Sequence, residues 1–287
     1  MAIRTAGPVF SPTDEFVSIA EGYSNASRCY CMGEDDLEAD VRLLRRAPIL
    51  AACRDGPTDR STIAERADCS GTTAYRATTE LAADGLLAKH AGGYSLTNFG
   101  TAMLDHLTQF RARVDGTRHL LPLLRRIDAQ ELREHVDLFT DATVLEASPD
   151  APYVVDQQFE SIVEENSGGA WFGFTRAFGS PSVVETTTRA LSDGASAEWV
   201  FTRDAIAAIS EQHPEAQTEL RALDRTASYA VDSLPFSFAA LDGTLVLIAT
   251  DDTTGVHAAI ATTDNPDALA WARDLFERYR DRAERVA

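Results

Sequence analysis

Apolar residues recur at helical spacing at Leu37, Val41 and Leu44 and on to Ile49 and Leu50, with Pro48 marking a kink or a join between two helices. The turn Cys53-Arg54-Asp55-Gly56-Pro57-Thr58 follows. Asp59 or Ser61 can then cap a short helix through Ile63, Ala64 and Ala67, and after Asp68-Cys69, Ser70 caps a second helix running from Gly71 to Asp84. That second helix carries Ala74, Ala77 and Leu81 at i, i+3 and i+7, and Asp84-Gly85 closes it. Leu86-Leu87-Ala88-Lys89 and Gly93-Tyr94-Ser95-Leu96 are strand candidates joined by His90-Ala91-Gly92. Short helix, turn, longer helix and glycine-tipped hairpin come in the order of a winged helix-turn-helix. The alternative is a small helical subdomain with an incidental hairpin.

Residues 101–127 keep approximate helical spacing at Leu104, Leu107, Phe110, Val114, Leu120, Leu121 and Leu124, broken at Gly116 and Pro122. Beyond Thr140 the pattern mixes periods. Helices are expected to end at Glu160–Glu165, to run over Pro181–Leu191 and to lie between Arg203 and Leu223. Strands are expected at Ala170–Phe174, Glu198–Thr202, Ser228–Val231, Phe236–Leu241, Leu245–Thr250 and Val256–Ala261, with turns at Asp242-Gly243 and Asp251–Gly255. Pro266 to Arg285 reads as a terminal helix with Leu269, Ala272, Leu275, Phe276 and Tyr279 on one face. The fold class expected is α+β: an N-terminal extension (1–36), a winged helix-turn-helix (37–100), a helical linker (101–139) and a C-terminal α/β domain (140–287) of sensor-like size.

A net charge of −19 argues against a polyanion partner for the chain as a whole. Its distribution changes that: residues 1–40 carry 2 basic and 8 acidic side chains, residues 41–127 carry 13 and 8, and residues 128–287 carry 11 and 29. The basic island coincides with the winged-helix pattern, so double-stranded DNA is the partner expected for that part. Arginine supplies all basic residues but Lys89, and the acidic, lysine-poor composition resembles that of salt-in haloarchaeal proteins. No run of 18 apolar residues and no secretory signal pattern occurs, so a soluble cytoplasmic protein without membrane contact is expected. Cys29, Cys31, Cys53 and Cys69 do not form a disulfide framework. Cys29-x-Cys31 lacks the second close pair that a structural zinc site needs, so neither metal nor cofactor is expected.

Reading a major groove needs side chains on the first turns of a helix that present hydrogen bonds or methyl groups to base edges. Ser70, Thr72, Thr73, Tyr75 and Arg76 hold those positions, and Lys89, His90 and Tyr94 lie on or beside the wing. Ser70 is equally explained as a cap alone, and the threonines as a solvated face. In the C-terminal domain Trp171, Phe174, Arg176, Trp199 and Arg203 are the candidates for lining a ligand pocket. The chain has no G-x-S-x-G, P-loop, H-E-x-x-H or dinucleotide fingerprint, and phospholipase D chemistry needs a His-x-Lys pair that a chain with Lys89 alone does not contain. No enzymatic activity is expected.

The distal motifs carry a family resemblance. Leu234-Pro235-Phe236-Ser237-Phe238-Ala239, Leu241-Asp242-Gly243, Asp251-Asp252-Thr253-Thr254-Gly255, Thr263 to Ala272 and Leu275-Phe276-Glu277-Arg278-Tyr279-Arg280 resemble the middle domain of haloarchaeal winged-helix regulators related to the methanogenesis filament-regulator family. The resemblance covers roughly residues 37–285, and residues 1–36 fall outside it. It implies transcription regulation through the N-terminal winged helix, with a C-terminal domain that senses a signal or mediates assembly; a homodimer and a small-molecule effector are the partners expected beside DNA. Recognition helices vary among such relatives, so it implies no target sequence.

Overall fold

The computed structural model describes residues 34–251 and 256–286. The expected N-terminal extension as far as residue 33, with the Cys29–Cys31 pair, and most of the turn Asp251–Gly255 lie outside the described residues. The chain divides into two compact units, Met1–Leu107 and Thr108–Ala287.

In the N-terminal unit α1 (Glu34–Ala52) continues through Pro48 as one helix rather than joining two. Asp59 caps α2 (Arg60–Arg66), its carboxylate accepting the N–H groups of Ser61 and Thr62. The turn passes through Asp68 in the left-handed region, and Ser70 caps α3 (Gly71–Ala83) by accepting the Thr73 N–H at 3.1 Å. Gly85, with φ +76°, ends α3, so that Leu86 N–H reaches the Leu81 carbonyl at 2.9 Å and Gly85 N–H reaches Ala82 at 3.2 Å.

Strands β1 (Leu87–His90) and β2 (Gly93–Leu96) pair antiparallel, with His90 opposite Gly93. Thr58 adds a third edge by exchanging two 2.9 Å backbone hydrogen bonds with Tyr94. That approach requires glycine at 93, where φ is +132° and a Cβ would stand 2.1 Å from the Thr58 carbonyl oxygen. The first turns of α4 (Asn98–His119) complete the unit, whose core gathers Leu50, Ile63, Ala74, Leu81, Leu87, Tyr94 and Leu104.

The C-terminal unit opens with short helices α5 (Leu121–Leu124) and α6 (Gln130–Arg133) and a 3-10 turn at Val136–Phe139. Residues 120–139, expected to be linker, instead send Leu120, Leu123, Ile127, Leu132, Val136 and Phe139 into the main core of this unit. There follow β3 (Thr143–Glu146), α7 (Val154–Glu165), β4 (Ala170–Thr175), α8 (Pro181–Asp193), β5 (Ser196–Thr202), α9 (Arg203–Gln212), α10 (Pro214–Arg221), β6 (Thr226–Val231), β7 (Ser237–Leu241), β8 (Thr244–Thr250), β9 (His257–Thr263), α11 (Pro266–Arg280) and β10 (Glu284–Val286). The terminal helix expected to reach Arg285 therefore stops at Arg280, and the chain turns to pair Arg285 with Tyr229.

Among the described residues eight strands form one sheet in the order β10-β6-β5-β4-β7-β8-β9-β3. The β4–β5 and β5–β6 pairs are parallel, each crossing over through helices, and the remaining pairs are antiparallel. Alternate residues of the central strands enter two cores. Phe238, Ala240, Leu245, Leu247, Ala259 and Ala261 face α11 and the α5–α6 segment, whereas Ala239, Leu241, Val246, Ile248 and Ile260 face α7 and α8.

On the second face α7 is tied to β9 by a buried pair, with Asp156 Oδ1 2.8 Å from His257 Nδ1. The two groups lie at contact distance without ideal hydrogen-bond alignment. Burial works to raise the Asp156 pKa, but His257 and Ser180 outweigh it and hold the carboxyl below its ordinary value.

Gly173 has a Cβ position 2.3 Å from both the Phe238 carbonyl oxygen and the Trp199 ring. Gly173→Ala is expected to lower stability by about 1–3 kcal/mol through overpacking, measured by denaturant unfolding; an unchanged midpoint would show that the strands have room to part. A depressed folded pKa at Asp156 means that its stabilisation is present above the unfolded value of about 3.9 and is lost as pH falls through the folded value. Asp156→Asn should thus cost about 2 kcal/mol at neutral pH, with the gap to the natural chain narrowing below about pH 4. A gap constant from pH 7 to 3 would contradict this.

Candidate functional site

The helix-turn-helix presents one face of α3. Ala74, Ala77, Thr78 and Leu81 are buried beneath it, which turns Thr72, Thr73, Tyr75, Arg76 and Thr79 outward. Thr72, Arg76 and Thr79 fall at i, i+4 and i+7 and make one stripe. Arg76 is exposed and forms no ion pair among the described residues, so its guanidinium is available. Ser70 is engaged as the cap, and its hydroxyl also lies 2.8 Å from that of Thr73. Glu80, the acidic residue on the outer side of α3, is neutralised by Arg46 of α1.

The wing residues take different places. Lys89 is exposed, and His90 is exposed with Nε2 2.8 Å from the Ser95 hydroxyl. Tyr94, expected beside them, is instead 4% exposed: its ring belongs to the core and its hydroxyl accepts a hydrogen bond from Arg60. Arg60 was not legible as a site residue. Its guanidinium lies 4.4 Å from the Tyr75 ring centroid and 5.1 Å from that of Tyr94, and its Nε donates to the Thr78 hydroxyl at 3.4 Å. This stack joins α2, α3 and the wing, and no local pattern around residue 60 could have announced it. Thr79 could have been found by continuing the spacing from Thr72 and Arg76.

In the C-terminal unit a cavity of about 90 Å³ lies between the second face of the sheet and α7–α10, walled by Phe159, Phe178, Trp199 and Phe201, with Thr188 and His257 among its polar members. Of the five residues expected to line a pocket, Trp199 does so. Arg176 faces a neighbouring cleft of about 170 Å³ that also contains Arg126. Trp171 is a core residue of the second face, its indole donating to the Asn166 carbonyl at 3.0 Å. Phe174 points to the opposite face, against Phe238, Phe276 and Tyr279, because strand alternation puts residues 172 and 174 on the α11 side. Arg203 lies on the surface and pairs with Asp232 and Glu284. Cys53 is buried, and that burial pushes its thiol up to about 11, Arg66 opposing, which leaves it a packing residue of the N-terminal core.

No helix among the described residues is long and apolar enough to cross a membrane. Residues 152–282 match the family described as the methanogenesis regulatory protein FilR1, middle domain, and residues 34–119 match the HVO_A0261 N-terminal domain. No curated protein sequence matches the chain. Among solved structures it is similar to TrmBL2, an archaeal chromatin protein described as showing a novel mode of DNA binding, at 12% identity over 84% of this chain and 94% of that one, with a TM-score of 0.40. NucT from Helicobacter pylori is 8% identical over 51% of this chain and 99% of its own, with a TM-score of 0.41. Nuc from Salmonella typhimurium, a phospholipase D family member, is 13% identical over 51% and 99%, with a TM-score of 0.37. Likenesses this distant carry neither substrate nor partner over to this chain.

The first family match takes in α7 to α11 and the cavity, and the second takes in the helix-turn-helix and its wing. The C-terminal unit therefore matches the FilR1 middle-domain family over residues 152–282, and the chain resembles the winged-helix methanogenesis regulators of which that domain is part.

Proposed function

We infer that the chain is a sequence-specific DNA-binding transcription regulator that acts as a homodimer, with α3 read into the major groove and a C-terminal unit that receives a signal. The observation that carries this reading is the outward stripe of α3, in which Thr72, Thr73 and the unpaired Arg76 stand on the first turns of the helix. Arg76 suits a bidentate contact to guanine or a phosphate, Thr72 can meet a thymine methyl, and Tyr75 beneath Arg60 offers a flat edge to the backbone. Lys89 and His90 on the wing suit phosphates of the flanking turn. Ser70 serves this face as the cap that sets the helix start, and Tyr94 serves it from within by holding Arg60. The FilR1 match supports a regulatory role, and the cavity in the matched domain supports reception of a small molecule. A C-terminal unit serving assembly alone is the competing form of the same function.

Genome-wide occupancy of the tagged chain in its host should show discrete peaks that Arg76→Ala removes, with operator affinity in solution falling about 10- to 100-fold and thermal stability unchanged, since Arg76 is exposed. Peaks that persist in the variant would take α3 out of the reading role. Two copies place two recognition helices about 34 Å apart, so the shared motif should be an inverted repeat with half-sites about one helical turn apart. A strict monomer by sedimentation, on and off DNA, would rule out the dimeric scheme.

A further inference from the structure

The cavity under α7–α10 has features that select its occupant, and the argument rests on the reading of the C-terminal unit as the part that receives a signal. We propose that it is a binding site for a small, uncharged, ring-containing molecule bearing a hydroxyl group, the chemistry of phenol and simple aromatic alcohols.

Its walls supply the first reason. Phe159, Phe178, Trp199 and Phe201 line it, with Phe178 stacked on Phe201 at 5.5 Å and 28°, and no Lys, Arg, Asp or Glu is among its lining residues. A charged ligand would lose its water there without meeting a counter-charge. Arg126 and Arg176 line the neighbouring cleft, and Arg221 lines the adjoining space, rather than the cavity itself. The size supplies the second. About 90 Å³, adjoined by a further space of about 80 Å³ that shares Phe178, Phe201, Ile209, Leu220, Thr226 and Ser228, suits one ring. An apolar protein cavity of about 150 Å³ is known to admit benzene.

The polar groups supply the third. Thr188 is buried on α8, lines the cavity and has a hydroxyl with no hydrogen-bond partner among the described residues. Thr78, Thr117 and Thr218 return their hydroxyl to the carbonyl four residues back, to Ala74, Arg113 and Pro214. The Thr188 hydroxyl makes no such bond and stands at the cavity wall, where a ligand could complete it. His257 lines the same cavity with Nδ1 turned to the Asp156 carboxylate. With Nδ1 turned to that carboxylate at 2.8 Å, Nε2 is the ring nitrogen left to meet a ligand hydroxyl. Gly179, with φ +71° and a Cβ position 2.5 Å from the His257 ring, lets the β4–α8 connection close over that imidazole.

The test is calorimetric titration of the full chain, without DNA, with phenol, toluene, benzoate and benzylammonium. Phenol is expected to saturate at one per chain and to quench tryptophan fluorescence in the natural chain but not in Trp199→Phe; benzoate and benzylammonium should give no saturable signal. Thr188→Val should keep or raise Tm, because it removes an unsatisfied hydroxyl, while weakening phenol about tenfold and leaving toluene unchanged. Phenol failing to saturate, benzoate binding as tightly as phenol, or Thr188→Val binding phenol as tightly as the natural chain would each overturn the proposal. Operator affinity measured with and without phenol is a separate readout. Phenol binding with no change in operator affinity upholds the ligand class and removes the signalling role. Absence of any operator removes the DNA reading and leaves the calorimetric result standing.

Discussion

A sheet covered on both faces leaves its strands no polar side, and the rest of the C-terminal unit follows from that constraint. Strands β7, β8 and β9 are buried along nearly their whole length, so they cannot alternate apolar and polar residues as a half-exposed strand does. They alternate size and direction instead. Phe238, Leu245 and Leu247 fill the α11 side, and Leu241, Val246 and Ile260 fill the α7–α8 side, while alanines at 239, 240, 249, 259 and 261 let the flanking layers come close. The α11 side is closed by aromatic rings, with Phe236 stacked on Trp271 at 6.2 Å and Phe174 meeting Tyr279 edge to face at 4.9 Å. The other side is not filled so completely, and the space left between α7–α10 and β5 is the cavity that Trp199 and His257 line.

The same constraint explains what could be read in advance. Long apolar runs bounded by glycine and aspartate make strands such as Leu245–Thr250 legible, and the amphipathic period of Pro266 onward makes α11 legible up to Arg280. Beyond Arg280 the period gives no stop signal, and the pairing of β10 with β6 depends on a partner more than fifty residues away. Strand β3 was missed for a related reason: four residues, partly exposed, held by β9 at the sheet edge. Residues 120–139 read as linker because their apolar positions are interrupted by Pro122 and short turns, yet contact with the sheet makes them core.

For the candidate sites the division is similar. The outward face of α3 was legible because burial of Ala74, Ala77 and Leu81 dictates which residues are left outside. Tyr94 and Phe174 were misplaced because an aromatic residue on a strand gives no sign of which face it takes until register and neighbours are known. The Asp156–His257 pair, separated by about a hundred residues, had no sequence signature at all.

Arg60 fixes more than a local contact. Because its guanidinium bridges the rings of Tyr75 and Tyr94 and bonds Thr78, the helix that faces outward and the hairpin beside it share a single hinge-free joint. Positions 72, 73, 76 and 79 lie outside that contact, whereas 60, 75, 78 and 94 make it, so the four outward side chains can vary while the frame beneath them is kept.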